Sequence, residues 1–338
     1  MRGKREFVAS VCVTTGITRL VEALPRRRLL IVLTYHRIGN ADETLYDSGT
    51  FSCTAEQFEC QIESLKRRYR MAALEEMLEM LGGNASLSEP AVLITFDDGY
   101  IDNYQIAFPI LRRHGVPGVF FLPTAFVGTG RLPWWDIIAY IVKRSPKTRI
   151  CLHYPEPRTF DLAKDGVDSC IMHILRFYKQ PSMQDGDCFI DELEKACESS
   201  RPPIDADRCF LSWDEARQMQ QAGMSFGSHT HTHEILSKLP LERQQEEVVV
   251  SREILQHELG RNIDTLAYPV GARHAFTEDT IAALRQARYR AAFSHYGGFN
   301  RPEMMQPFDI CRCKIDRQSE SRLRLQTALG SFTGNRWF

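Results

Sequence analysis

Apolar positions fall along this chain in two kinds of block. Short apolar-rich segments occupy Leu29 to Tyr35, which is continuous, and Ala91 to Phe96, Gly118 to Leu122, Met224 to Ser228, Ile263 to Tyr268 and Tyr289 to Ser294, the length and character of buried strands. Between them, Thr54 to Tyr69, Tyr100 to His114, Ser212 to Gln221, Leu241 to Leu259 and Thr277 to Gln286 carry apolar residues three and four apart, which predicts helices. Their ends are punctuated. Thr54-x-x-Gln57 and Ser212-x-x-Glu215 read as capping boxes, and Gly115 and Gly260 stand where two helices stop. Repeated strand–helix units with apolar strands predict an α/β fold on a parallel sheet, open or closed into a barrel.

From about residue 147 to 208 the rhythm weakens. Four cysteines, Pro-rich turns and short helices near Val167 to Tyr178 and Phe189 to Cys197 suggest an insertion rather than a second catalytic domain. The expected organisation is a basic helical segment over 1–28, a barrel over 29–315 that includes this insertion, and a tail over 316–338.

The 338 residues allow two domains or one large barrel, and 42 Lys+Arg against 43 Asp+Glu leave no electrostatic footprint for nucleic acid. The ten cysteines show no CxxC spacing and read as buried small hydrophobes in a reducing compartment. The stretch Phe7 to Ile17 is broken by Ser and Thr and followed by Arg19 and Glu22, unlike an export signal. No window approaches the roughly 18 apolar residues of a bilayer span, so a cytoplasmic protein is expected.

Two constellations could carry chemistry. The strand Ala91 to Phe96 empties into Asp97-Asp98-Gly99, where α/β folds build active sites, and such close carboxylates resist joint ionisation unless a cation neutralises one. The alternative is a helix N-cap with a spare carboxylate. After Met224 to Ser228 come His229, His231 and His233; the first and last could converge on one metal if the segment turned helical, whereas a run of surface histidines is the plainer reading. Two His and one carboxylate with open positions suit one divalent ion, zinc first, with Fe, Co, Ni or Mn as alternatives. Near misses compete: His233-Glu234 begins an HExxH without its second His, and Gly223-x-Ser225-x-Gly227 spells a nucleophile elbow that would make Ser225 a serine esterase nucleophile, but places it at the start of a strand.

Leu33-Thr34-Tyr35-His36-Arg37-Ile38, Thr95-Phe96-Asp97-Asp98-Gly99, the Gly227 to His233 segment and Leu266-Ala267-Tyr268-Pro269-Val270-Gly271 resemble, in order, the motifs of NodB-type polysaccharide deacetylases, carbohydrate esterase family four. The resemblance spans about residues 30–313. It implies an irregular (β/α) barrel, metal-dependent removal of N-acetyl groups from a sugar, Asp97 as general base, and Asp98, His229 and His233 as metal ligands. It also implies the Val270 N–H, following Pro269, as an oxyanion donor. His231 is then left as a neighbour of the site or a solvated side chain.

Two departures stand out. The Arg that steadies the base in many members is replaced by Ala267, and Arg312 of Cys311-Arg312-Cys313 is a substitute candidate, although a lone Arg on a terminal strand is usually a salt-bridge partner. The L-x-H general acid is matched only by Leu255-Gln256-His257, inside a helix. The chain instead resembles the branch with Tyr-His-Arg on the first strand, which puts the acid on His36; His295 is the competitor, and a buried structural histidine the plain alternative. Trp213 and Tyr268 are expected as walls for a sugar ring, or as core.

The expected function is metal-dependent deacetylation of an N-acetylated sugar, oligosaccharide or polysaccharide precursor. Alternatives are a deformylase or deacylase of another sugar amide, the Ser225 esterase, and a carbohydrate-binding protein with a degenerate site. The expected partner is the carbohydrate. The basic stretch Met1 to Arg28 could also rest on an anionic membrane, its Phe7, Val8, Val11, Ile17, Leu20, Val21 and Leu24 forming one side of a helix; the alternative is a helix packed on the barrel with solvated Arg side chains. Nothing in the pattern fixes an oligomeric state.

Overall fold

A computed structural model describes residues 2–180, 183, 185–203 and 208–333. The chain forms two compact units, one of Met1–Gly39, Phe51–Gly128 and Phe210–Phe338, the other of Asn40–Thr50 and Thr129–Cys209.

The larger unit is built on a curled parallel sheet flanked by helices, the half-barrel of a (β/α) fold. Its strands in chain order are β1 (Leu30–Tyr35), β2 (Ala91–Phe96), β3 (Gly118–Leu122), β4 (Ser225–Ser228), β5 (Thr265–Ala267), β6 (Ala291–Phe293) and β7 (Cys313–Lys314). The spatial order is β6-β5-β4-β3-β2-β1-β7, with Arg70–Met71 pairing beside β2. Every residue of β1, β2 and β3 is buried, which is why these segments read as continuous apolar runs rather than alternating ones. Aromatic stacking of Phe96 on Phe120 at 4.7 Å and the approach of Phe226 to Phe120 tie three neighbouring strands together.

The sheet curls because one segment serves both edges. The Ile310 amide donates to Ala292 O at 2.9 Å and the Ser294 amide donates to Ile310 O at 2.9 Å, while three residues on Cys313 pairs with Leu33 of β1. Residues 310–314 therefore bridge the gap between β6 and β1, and Arg312 lies inside that bridge.

The helices form where expected. Helix α3 (Ala55–Lys66) and helix α5 (Trp213–Gln221) begin with the capping boxes read from Thr54/Gln57 and Ser212/Glu215. Helix α6 (Leu241–Leu259) ends at Gly260 in the left-handed conformation. The segment after β2 is a correction to the simple helix: a π turn over Asn103–Ala107 precedes α4 (Phe108–His114). Such bulges admit one extra residue per turn and often lie beside functional sites. The unit also holds α1 (Arg2–Thr14) and α2 (Ile17–Ala23), separated at Gly16 with φ 82°, with α7 (Glu278–Gln286) and α8 (Glu320–Thr333).

The smaller unit has its own core. An antiparallel hairpin of Arg149–Leu152 and Arg158–Asp161 joins helices Trp134–Lys143, Val167–Tyr178 and Gly186–Cys197, with Trp135, Ile138, Phe177, Phe189 and Leu193 buried among them. Trp134 stacks on Tyr178 at 4.4 Å. All ten cysteines are free, but Cys60, Cys151 and Cys188 are exposed, so these three are not the buried hydrophobes expected of them.

Candidate active site

Five loops leave the carboxyl ends of β1, β2, β4, β5 and β6 side by side, and they carry the candidate residues. The register Tyr35↔Phe96 sets His36 beside Asp97, whose amide donates to Tyr35 O at 3.0 Å. Directly after, Asp98 and Gly99 turn left-handed, with φ 73° and 69°. At this positive φ a side chain on residue 99 would be strained, and its Cβ would meet the Leu122 side chain at 2.6 Å, so the turn favours glycine. The reversal lets two adjacent carboxylates serve different partners.

Asp97 meets Arg312. The guanidinium forks onto both oxygens, Nη1 to Oδ1 at 2.7 Å and Nη2 to Oδ2 at 2.8 Å, and its Nε donates to Ser294 O at 3.0 Å. Both residues are essentially inaccessible to solvent, and the Arg312 cation also lies near the Phe121 ring at 5.5 Å. Burial alone would raise the Asp97 carboxyl, but the Arg312 charge outweighs it, with help from His229, and holds the pKa at about 2. Arg312, the substitute candidate for the arginine missing at Ala267, is thus the ion-pair partner of Asp97.

Asp98 meets the histidines. Its Oδ1 lies 3.4 Å from His229 Nε2 and 3.3 Å from His233 Nε2. Burial pushes the Asp98 carboxyl up, yet its contacts with the two imidazoles hold it well below the carboxylate range. The convergence does not come from a helix, contrary to the expectation. Thr230 and His233 instead take φ 65° and 62°, and the loop is tied by side chains. Glu247 of α6, itself buried, accepts from the amides of His231 at 2.9 Å and Thr232 at 2.8 Å, Ser228 Oγ accepts from the Thr230 amide, and Thr230 Oγ1 from the His233 amide. Among the described residues, seven non-glycine positions have positive φ, and Asp98, Thr230, His233 and Val270 are four of them. Such backbone costs free energy and persists where packing over-determines it, typically at functional sites.

The Asp98–His229–His233 group fits a divalent ion. Ligand atoms about 2.0–2.1 Å from a tetrahedral zinc lie about 3.3–3.4 Å apart, matching the observed separations. His229 Nδ1 lies 2.7 Å from Ala267 O, so that nitrogen carries a proton, and Nε2 is the atom that would face a bound ion. Asp97 is a poorer ligand, because both its oxygens are engaged by Arg312.

His36 closes the other side. Its amide donates to Ser52 Oγ at 2.9 Å and its carbonyl accepts from Asn103 Nδ2 at 2.8 Å. The neighbouring Arg37 pairs with Asp102 at 2.8 Å and lies over Phe51 and Tyr100 at 4.3 and 4.6 Å. Asp102 also accepts from the Ile38 amide at 3.0 Å. Asp102, Ser52 and Glu247 were not legible in the sequence, since each acts on backbone groups remote along the chain. The imidazole of His36 is stacked on that of His295 with centroids 5.5 Å apart, and side-chain atoms of His36, Asp97 and His295 lie within 4.8 Å of one another. Burial pulls the His36 imidazole down to about 4 against the opposing pull of Asp98 and Asp97. Burial likewise depresses His295.

At β5, Pro269 O accepts from the Gly271 amide at 2.6 Å, a three-residue turn that forces Val270 to φ 62°, an uncommon conformation for a β-branched residue. Gly271 O accepts from the His295 amide at 2.7 Å, and a Cβ on Gly271 would meet His295 Cβ at 2.6 Å. This close approach ties the Pro269-Val270 turn to the His295 loop.

Other candidates lie elsewhere. Tyr268 is only 1% exposed, stacks flat on Phe276 at 4.1 Å and donates to Phe308 O, so it belongs to the core and is no sugar wall. Trp213 is half-buried and packs on the same core. His231 turns to Thr124 Oγ1 at 2.8 Å rather than joining its neighbours. Ser225 opens β4 opposite Val119, at the strand end away from the histidines, with no strand-to-helix turn around it. His257 is exposed on α6.

The chain is 22% identical over 262 residues to YxkH of Bacillus subtilis (strain 168), assigned to the polysaccharide deacetylases, covering 77% of this chain and 62% of that one. It therefore spans less than two thirds of that relative's length. The fold is similar to Streptococcus pyogenes deacetylase PplD in complex with acetate, at TM-score 0.58 and 18% identity over 90% of this chain and 99% of that one. It is also similar to IcaB from Ammonifex degensii, at TM-score 0.57 and 20% identity over 91% and 99%. The profile of the polysaccharide deacetylase family matches residues 84–153 and 158–292, which hold the paired carboxylates, the histidine loop and the Pro269 turn, and this chain belongs to that family.

Proposed function

We propose that this protein hydrolyses the acetamide of an N-acetylated sugar with the help of one divalent ion, zinc first among the candidates, at Asp98, His229 and His233. The observation that carries the reading is a division of labour between two adjacent carboxylates: Asp98 faces two imidazoles at 3.3–3.4 Å, while Asp97 is held ionised by a buried Arg312. When bound, the ion lowers the pKa of water and polarises the acetamide carbonyl.

The chain's residues do the rest. Asp97, with its pKa held at about 2, is ionised at neutral pH and accepts the proton of the attacking water. Arg312 keeps that carboxylate oriented. The Val270 N–H, presented by a strained turn, donates to the oxygen on which negative charge develops. His36 hands the departing amine its proton. Because burial holds His36 at about 4, it starts the cycle neutral and must first accept a proton. Protonated Asp97, within 4.8 Å, is its source.

Acetate release from a panel of N-acetylated oligosaccharides tests the reading, before chelation, after it, and after restoring zinc, cobalt, nickel, manganese or iron. Release abolished by the chelator and restored by an ion is expected. Turnover that ignores the chelator and is lost in Ser225→Ala points to the esterase. Formate release from N-formyl sugars alone indicates a deformylase, and sugar binding without turnover a degenerate site.

A further inference from the structure

The first two helices are amphipathic the wrong way round for a helix packed in a soluble protein. On α1 the large apolar residues Phe7, Val8 and Val11 share one face at helical spacing, and on α2 Ile17 and Leu20 do the same, with Leu24 just past its end. All six are exposed, Phe7 and Leu20 at 71% each. The fully buried positions are small, Ala9 and Thr18, with Cys12, Val13 and Val21 half-buried, while Glu6 pairs with Ser319 and with Arg322 of α8, and Glu22 with Arg68 and Arg324. Folding therefore does not use the apolar stripe. Polar pairs to α8 fix these helices so that the stripe faces outward.

The charges around the stripe have one sign. Lys4, Arg5, Arg19, Arg27 and Arg28 are exposed, whereas Glu6 and Glu22, the acidic residues of the segment, are occupied by arginines of the body. Between α1 and α8 runs a groove of about 290 Å³, lined by Val8, Ala9, Leu325 and Leu329 and edged by Lys4, Arg5 and Arg322. An apolar slot with a cationic edge matches a chain-bearing molecule with an anionic head.

We propose that α1 and α2 form an interfacial docking surface that rests on an anionic lipid bilayer. Phe7, Leu20 and their neighbours enter the acyl boundary, the exposed Lys and Arg residues meet the headgroups, and the α1–α8 groove accommodates acyl carbon. Apolar area and basic charge together are what such binding requires. No described helix is long and apolar enough to cross a membrane, so the contact is peripheral. The proposal is independent of the reaction assigned to the site.

The test is flotation of the full chain with vesicles of phosphatidylcholine alone or mixed with phosphatidylglycerol, at low and high salt. Binding to the anionic vesicles that weakens with salt is expected. Phe7→Ser with Leu20→Ser should weaken it at least about a hundred-fold, since each buried large side chain contributes more than a tenfold factor. Lys4→Gln with Arg19→Gln should weaken it about thirty-fold, at the usual contribution per cation. All four positions are exposed, so circular dichroism and melting of the variants should match wild type. No binding at low salt, equal binding to neutral vesicles, or binding unchanged in both double variants overturns the proposal. So does a dimer, seen by light scattering, that is lost in the Phe7/Leu20 variant, because the stripe would then be covered by a second copy.

Discussion

Replacing Arg312 by Gln removes the charge and the two-pronged contact but keeps a polar side chain, and it isolates what the Asp97–Arg312 fork does. Asp97 is held at about 2 against an ordinary value of 3.8, and each pKa unit is worth 1.36 kcal/mol, so the ionised carboxylate owes on the order of 2–3 kcal/mol to its surroundings. Removing one partner of a buried pair leaves an unpaired charge and typically costs about 3–5 kcal/mol. The two figures agree in scale. Urea unfolding at pH 7 of wild type, Arg312→Gln, Asp97→Asn and the double variant, all with the same metal content, should show non-additivity of about 2 kcal/mol or more, because Asp97→Asn removes the charge that Arg312→Gln strands. The sign with pH is fixed: the folded pKa is depressed, so this stabilisation is present above about pH 4 and lost as pH falls toward 2, and the gap between wild type and Arg312→Gln should narrow on acidification. In activity, the acid limb of kcat/KM should move to higher pH in Arg312→Gln, since burial, which raises Asp97, is then opposed only by His229 and His36. Additive stabilities with an unmoved acid limb would refute the assignment of Arg312 as the partner that keeps Asp97 ionised.

Asp98→Asn and His229→Ala should each lose most metal affinity by calorimetry, because two remaining ligands cannot fix an open-sided site; full occupancy in either variant contradicts the ligand set. Asp97→Asn should keep the metal and lower kcat by about 10² to 10⁴ with little change in KM, and a wild-type kcat moves the base elsewhere. His36→Ala should be slower than His295→Ala with metal retained in both; the reverse order transfers the proton-donating role to His295. Glu22 is raised by burial but lowered more by Arg324 and Arg68, and its net depressed pKa makes the docking of α2 strongest above the ordinary carboxylate range. Hydrogen-exchange protection of Ile17–Ala23 should therefore fall as pH drops through that range and become independent of pH in Glu22→Gln; protection unchanged in wild type counts against it.

What was legible in the sequence was what short-range physics writes into it. Strands buried on both faces leave unbroken apolar runs, and Ala91–Phe96 and Gly118–Leu122 form over the residues that the pattern marks. Capping boxes are local hydrogen-bond exchanges, so Thr54/Gln57 and Ser212/Glu215 announce the helices they start. Asp97, Asp98, His229 and His233 could be proposed together because each pair directly follows a buried strand, and parallel strands empty at one rim. The tertiary structure decided what depends on distant chain meeting in space. It joined the carboxylate loop to Arg312, more than two hundred positions away, through a segment that bridges β6 and β1, where a lone arginine near the end of the chain looked like an ordinary salt-bridge partner. It produced the convergence of the histidines from two left-handed residues and the buried Glu247, which a helical periodicity cannot encode. It drew Tyr268 into the core by stacking it on Phe276. And it turned the apolar side of the first helices outward, because Glu6 and Glu22 found arginines on the body that the amphipathic pattern, which records only spacing along one helix, has no means to specify.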